Sequence, residues 1–253
     1  MPETVTAAVL IIGNEILSGR TQDANLAYLG KHLNEVGIQL KEARVVSDDE
    51  AEIVAAVNAL RTRYDYVFTT GGIGPTHDDI TADSVAKAFD VGIGYHAEVY
   101  EVLKAYFEGH GMEANEARMR MARIPNGAKL IDNTVSLAPG FELENVFVLA
   151  GVPSIARAMF EGAKQRLRHG RTVLSRSIRV HVGEGTVAEG LAQAQARFPD
   201  VEMGSYPWSK DGSFGTSLVL RSADKTRLDE AFEAVFLLSV EAGGNPVEEP
   251  PDD

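Results

Sequence analysis

Apolar positions along this chain switch between a strand period and a helix period. Val5–Ile12 is a short apolar run of the kind that forms a strand buried on both faces. Leu26, Leu29, Leu33 and Val36 then recur at helical spacing behind Asp23 or Asn25 as cap, and Gly37 stops the helix. Residues 39–46 read as a second strand. Ser47 or Asp48 is placed to cap a helix carrying Ile53, Val54, Val57 and Leu60. Tyr66-Val67-Phe68 opens a third strand ending at Thr70, and residues 80–89 form an amphipathic helix. Strand–helix–strand–helix–strand predicts an α/β fold, a mostly parallel sheet flanked by helices in a Rossmann-like three-layer arrangement. Ligands of such sheets lie outside the carboxyl ends of the strands. The Gly13 loop, the Asp48-Asp49 turn and the Gly71 turn should therefore converge on one edge.

Further on, helices are expected at residues 98–108 and 113–121, a turn at Pro125-Asn126-Gly127, and short strands at 128–131 and 145–149. Between those strands, the Pro/Gly-containing segment 133–141 folds over the sheet edge. Gly151-Val152-Pro153-Ser154 opens a helix running to about residue 168. After His169-Gly170-Arg171 the pattern changes to strand 177–182, helix 187–197, strands 201–206 and 217–221, and a closing helix 223–242. The chain thus divides into a first domain at 1–170, a smaller α+β domain at 171–242, and an acidic tail at 243–253 expected to be disordered.

Composition narrows the function. The 253 residues carry a net charge of −13, which argues against a dedicated nucleic-acid surface. The absence of cysteine excludes disulfides, thiolate nucleophiles and cysteine-held metals, and fits a reducing compartment. No run approaches the ~20 apolar residues that span a bilayer. The expected location is the cytoplasm, with no membrane partner.

Chemistry concentrates in Thr69-Thr70-Gly71-Gly72-Ile73-Gly74-Pro75-Thr76-His77-Asp78-Asp79. Glycines at a strand-to-helix turn let backbone N–H groups approach an anion, and the helix start adds partial positive charge. Gly71, Gly72, Gly74 and Thr76 are therefore candidate phosphate or pterin contacts. Asp78 and Asp79 follow at once, as expected where a metal joins a nucleotide-like ligand to a protein. Asp79 and Asp48 each have two readings, helix cap or acidic site residue. Glu15 lies beside the expected pocket and is a candidate ligand to metal or ribose. His77 has no second histidine at metal spacing and reads as an exposed or hydrogen-bonding side chain. Lys87 reads equally as a phosphate contact or a surface charge. Trp208 reads as the anchor of a hairpin loop at 206–212. Arg118, Arg120 and Arg123 split across helix faces and read as surface charge.

Four ordered motifs carry a family resemblance: Gly13-Asn14-Glu15-Ile16-Leu17-Ser18-Gly19-Arg20, the Thr69–Thr81 turn, Ala138-Pro139-Gly140-Phe141 and Gly151-Val152-Pro153-Ser154. Together they resemble the MoaB/Mog-like molybdopterin-binding domain, and more narrowly the amino-terminal part of the competence/damage-inducible protein A (CinA) family. The resemblance covers residues 5–170, and the small domain that follows is similar to that family's. It implies that Ser136, Pro139 and Gly140 belong to a loop approaching the ligand, and that Asp79 and Asp48 match acidic positions of the wider fold. It also implies a metal-dependent hydrolase of a nucleotide pyrophosphate such as ADP-ribose, with Mg²⁺, Mn²⁺ or Co²⁺ held by Asp79, Asp78 and Glu15, Asp79, Asp78 and Asp48 as the catalytic set, and a homodimeric state. The alternatives are a molybdopterin- or nucleotide-binding protein without turnover and a molybdopterin adenylyltransferase. Asn14 stands where many relatives have Asp, and Asp78 where molybdenum-cofactor enzymes tend to have Arg. The chain ends where longer members add an amidase domain, so nicotinamide-mononucleotide deamidation is not expected.

Overall fold

The computed structural model describes residues 4–250, and the chain divides into two compact units at Gly170/Arg171. The first unit begins with strand β1 (Val5–Ile12), a one-turn helix α1 (Asn14–Leu17), helix α2 (Asn25–Glu35), strand β2 (Ile38–Val46), helix α3 (Glu50–Arg61) and strand β3 (Tyr66–Thr70). Helix α4 (Thr81–Ala88), strand β4 (Ile93–Tyr95), helix α5 (Ala97–Gly109), the one-turn α6 (Glu116–Met119), a 3-10 turn (Arg120–Ala122) and strand β5 (Arg123–Pro125) come next. Strands β6 (Lys129–Ile131), β7 (Gly140–Leu143) and β8 (Val146–Leu149) and helix α7 (Pro153–Lys164) complete it.

The main sheet has the order β2-β1-β3-β8-β7-β6. Its pairs β1–β2, β1–β3 and β3–β8 are parallel, while β7 and β6 add an antiparallel edge. From Ala7 onward β1 has no polar break because both of its faces are covered. Ala7, Val9 and Ile11 join a core with Leu29, Leu33, Met159 and Phe160 of α2 and α7; Ala8, Leu10 and Ile12 join one with Ile53, Val57, Leu60 and Val85 of α3 and α4. This is the three-layer arrangement the sequence predicts, with a period-two strand facing two helical layers. The chain passes from β1 to β2 on one side and to β3 on the other. That reversal opens a crevice at the carboxyl ends of β1 and β3.

Several local expectations are corrected. The segment 13–20 is not all loop, since Asn14–Leu17 closes one helical turn. Helix α3 is capped by Asp49, which accepts from the N–H groups of Ala51 and Glu52 at 2.9 and 3.2 Å, not by Ser47 or Asp48. The expected helix 113–121 breaks after Met119 into the 3-10 turn, and β5 pairs with β4 in a small antiparallel ribbon.

The second unit consists of β9 (Leu174–Val180), α8 (Glu184–Arg197), β10 (Glu202–Lys210), β11 (Ser213–Ser222), α9 (Lys225–Glu241) and β12 (Val247–Glu249). Its antiparallel sheet has the order β10-β11-β9-β12, with Ile178, Val180, Leu218, Leu220, Phe232 and Val235 in its own core. The expected loop at 206–212 is mostly strand. Asp211 and Gly212, at φ 52° and 79°, make the whole turn, a geometry that suits the twist of a two-residue hairpin. Trp208 therefore sits on β10 opposite Gly215, its ring edge-on to His181 at 5.2 Å. The disordered tail is also corrected. The His181 N–H donates to Gly244 O at 2.7 Å, and Val247–Glu249 pairs with β9, because that edge offered free backbone groups. Residues 251–253 lie outside the described residues. Among the described residues, no helix is long and apolar enough to cross a membrane.

Two expectations for stability follow from this packing. Gly71 has φ 105°, and a Cβ there would lie 2.1 Å from Ile12 O. Gly71→Ala should cost about 3 kcal/mol or more in urea denaturation, or prevent folding. Asp65 is pushed upward by burial, but the N–H and hydroxyl of Thr6 and the Arg168 guanidinium outweigh this and hold its carboxyl below the ordinary 3.8. A carboxyl depressed in the folded state stabilises above its unfolded value, and that contribution is lost as pH falls through the folded value. Asp65→Asn should therefore be less stable than wild type at neutral pH, with the gap narrowing below pH 3.8.

Candidate functional site

The crevice is built by glycine packing. β3 delivers the chain to Gly71, whose Cα lies so close to Gly151 that a Cβ on Gly151 would sit 3.3 Å away. Asn25 Nδ2 donates to Gly151 O at 2.9 Å, so the turns after β3 and β8 and the start of α2 meet at one point. Asn25 is a buried tie and not a cap; Asp23 caps α2 by accepting from the Leu26 N–H. Buried Thr81 locks the turn onto α4. Its hydroxyl donates to Gly71 O at 2.9 Å and its N–H to Gly72 O at 3.0 Å.

These bonds consume the carbonyls of Gly71 and Gly72. Among the described residues, no hydrogen bond engages the N–H groups of Gly72, Ile73 and Gly74. The N-cap of α4 is Ile80, which has no side-chain acceptor, and the N–H groups of Ala82 and Asp83 carry no bond either. Gly72, Ile73, Gly74, Ala82 and Asp83 line one narrow cavity of about 20 Å³ together with Asp79, Arg120, Met121, Arg123, Pro139 and Phe141. Free N–H groups at a helix start form an anion-binding concavity.

Asp79 does not cap α4. Its Oδ2 accepts from the N–H and hydroxyl of Thr76, at 2.8 and 2.5 Å, and its Oδ1 carries no hydrogen bond. Asp78 is exposed and its carboxyl lies below the usual range; with the Thr76 hydroxyl donating to Asp79, its own N–H is the donor that holds it there. That hydroxyl has one proton, which the short contact directs to Asp79. His77 is fully exposed, with Nδ1 4.0 Å from Asp78 Oδ1.

The other sequence candidates lie around this cavity, not in it. Asp48 accepts from the Asn14 N–H at 2.8 Å and ties the first loop to the end of β2. Glu15 is exposed and folds back over Gly13, where a Cβ would meet its carboxylate at 2.5 Å. Ser136 bonds Asn133 Nδ2 at 2.6 Å and belongs to a neighbouring groove walled by Leu103, Tyr106 and Phe107. Gly140 is buried in β7 against Val148 O. Lys87 is paired with Glu50.

Two residues read as surface charge belong to the site. Arg123 Nη2 pairs with Asp83 Oδ1, and Arg120 Nη2 lies 3.9 Å from Asp83 Oδ2. Arg120 opens the 3-10 turn and Arg123 opens β5, and this short span brings both guanidinium groups to the same carboxylate. The signal available in the sequence was the Arg120–Arg123 spacing just before the Pro125-Asn126-Gly127 turn.

Among the described residues, no group of three or more His, Cys, Asp or Glu is placed to hold a metal ion. A closed protein cage therefore does not fit. Mg²⁺ commonly takes one or two carboxylates and completes its shell with phosphate oxygens and water. Asp79 Oδ1 and the adjacent Asp78 suit that open form.

Fold and turn together define an α/β domain with a candidate anion site at the switch point of a parallel sheet. Residues 8–169 match the family described as "Probable molybdopterin binding domain", and residues 172–239 match "FAD synthase, middle domain". The crystal structure of the protein CinA, of unknown function, from Thermoplasma acidophilum superposes with a TM-score of 0.60 at 32% identity, covering 65% of this chain and 99% of that one. A protein of Archaeoglobus fulgidus is 35% identical and covers 79% of this chain and 84% of its own length. A probable FAD synthase of Caenorhabditis elegans is 31% identical, covering 93% of this chain but 49% of that protein; the chain thus spans about half of it. The chain belongs to the molybdopterin-binding-domain family and is CinA-like.

Proposed function

We propose that this protein is a metal-dependent hydrolase of a nucleotide pyrophosphate of the ADP-ribose type. The observation that carries this reading is the run of unbonded N–H groups at Gly72, Ile73 and Gly74 beside the free Oδ1 of Asp79. The N–H groups and the start of α4 hold phosphate oxygens, and Thr76 fixes the orientation of Asp79. Asp79, with Asp78, would hold Mg²⁺, Mn²⁺ or Co²⁺ in this reading. Such an ion, when bound, neutralises phosphoryl charge and lowers the pKa of a coordinated water. The water oxygen bonds to one phosphorus, the P–O–P bridge opens, and ADP-ribose yields AMP and ribose 5-phosphate. Asp48 and Glu15 act in this reading as supports of the first loop and not as ligands or base.

The family relative named for FAD synthesis supports a dinucleotide pyrophosphate as the substrate class, since FAD contains the same linkage. The second reading is a nucleotide- or pterin-phosphate-binding protein without turnover, favoured by the absence, among the described residues, of any group of three His, Cys, Asp or Glu placed to hold a metal. Exposed apolar side chains at Val102, Tyr106, Val135 and Leu137 support a homodimer, which sedimentation velocity would test.

Purified wild type and Asp79→Asn are compared on ADP-ribose, FAD and NAD with Mg²⁺, Mn²⁺ or Co²⁺, and then with EDTA. Metal-dependent AMP release that EDTA abolishes, and that falls about 100-fold in Asp79→Asn, is the expected result. Ligand binding by calorimetry with no AMP release would replace the hydrolase with the binding module.

A further inference from the structure

The cavity at the glycine turn is too small for the ligand it is proposed to serve. Its roughly 20 Å³ admits one water-sized group, so the rest of a nucleotide has to lie elsewhere. A neighbouring cavity of about 250 Å³ is lined by His77, Tyr95, Glu116, Ala117, Arg120 and Arg123. Arg120 and Arg123 line both spaces and form the wall between them.

Their charge and hydrogen bonding are incomplete. One carboxylate, Asp83, faces two guanidinium groups, and each takes a different oxygen of it. The Nε atoms of both arginines are buried with no hydrogen-bond partner. Each arginine spends only its Nη2 on Asp83, so the Nη1 groups of two neighbouring cations remain for a further acceptor. Glu116 and Asp79 are the other acids lining these two cavities, and neither is paired with either arginine. Arginine forks match phosphate oxygens in a way that a point charge does not. Tyr95 is half exposed, meets Tyr100 edge-on at 5.4 Å, and offers an aromatic surface to a planar ring in the larger cavity.

We propose that Arg120 and Arg123 are the specificity clamp for the second phosphate of a diphosphate ester. Its first phosphate lies on the turn at residues 72–74, and its organic group enters the cavity beside His77 and Tyr95. The proposal rests on the glycine turn being an anion site, as in the reading above, but not on turnover. It makes diphosphates the ligand class and monophosphates poor ligands.

Calorimetry with inorganic pyrophosphate and inorganic phosphate, in EDTA, tests the clamp apart from catalysis. Wild type should prefer pyrophosphate by about tenfold or more. Arg120→Lys and Arg123→Lys keep the charge and lose the fork. Each should weaken pyrophosphate about tenfold and change orthophosphate less than about threefold. Asp83→Asn removes the competing acid and should tighten pyrophosphate while lowering the melting temperature, a pairing that a merely structural cluster would not produce. Circular dichroism checks that each variant is folded, and the lysine variants decide the matter if Asp83→Asn is not. No pyrophosphate preference in wild type, or an equal loss for both anions in the lysine variants, overturns the clamp. Pyrophosphate preference lost in the lysine variants without AMP release from ADP-ribose keeps the clamp and removes the hydrolase. AMP release with an unchanged KM in both lysine variants keeps the hydrolase and removes the clamp.

Discussion

The close approach of Gly71 to the carbonyl of Ile12 is the contact on which the site depends. A carbonyl 2.1 Å from where a Cβ would stand leaves no room for any other residue. This approach brings the exits of β1 and β3 together at the point where the order of strands reverses. Gly151 then packs on Gly71 from the end of β8, and Thr81 fastens the turn to α4. Thr81 bonds only the carbonyls of the turn. The N–H groups of Gly72, Ile73 and Gly74 stay unbonded, and such a run of backbone donors offers an anion partial positive charge without a cationic side chain.

That local polarity operates inside an acidic protein. A net charge of −13 is spread over the surface and screened within about 8 Å at physiological salt, whereas N–H dipoles and guanidinium groups act at contact distance. The acids within the site are restrained. Thr76 holds one oxygen of Asp79, and Asp83 is shared between Arg120 and Arg123. The site thus combines anion donors with one free carboxylate oxygen, a mixture that suits a phosphate accompanied by a cation better than either alone.

Much of the architecture was legible because it is written in short-range patterns. The unbroken apolar run of β1 signals a strand covered on both faces, and glycine after an apolar strand signals a phosphate-type turn. Errors arose where neighbouring residues share the same propensity. Asp48 and Asp49 are both good caps, and only the chain path shows that Asp49 reaches the N–H groups of α3 while Asp48 turns to Asn14. The tail at 247–249 reads as acidic and polar, yet an open edge on β9 captures it by backbone pairing, which is indifferent to side-chain polarity.

By itself the sequence determined the order of elements, the two-unit composition of the fold and the glycine turn. These follow from periods of two and 3.6 residues and from φ preferences that act within a few positions. Which side chains share the cavity was decided by the tertiary structure alone. Arg123 and Asp83 are 40 residues apart, and they meet because β5 packs beside α4, which no local preference demanded. Glu15 and Ser136 carry the right chemistry and the right motifs, but the fold directs them to their own loops. Propensity is a property of neighbours in sequence. A binding site is a property of neighbours in space, and the chain acquires those only when its layers close.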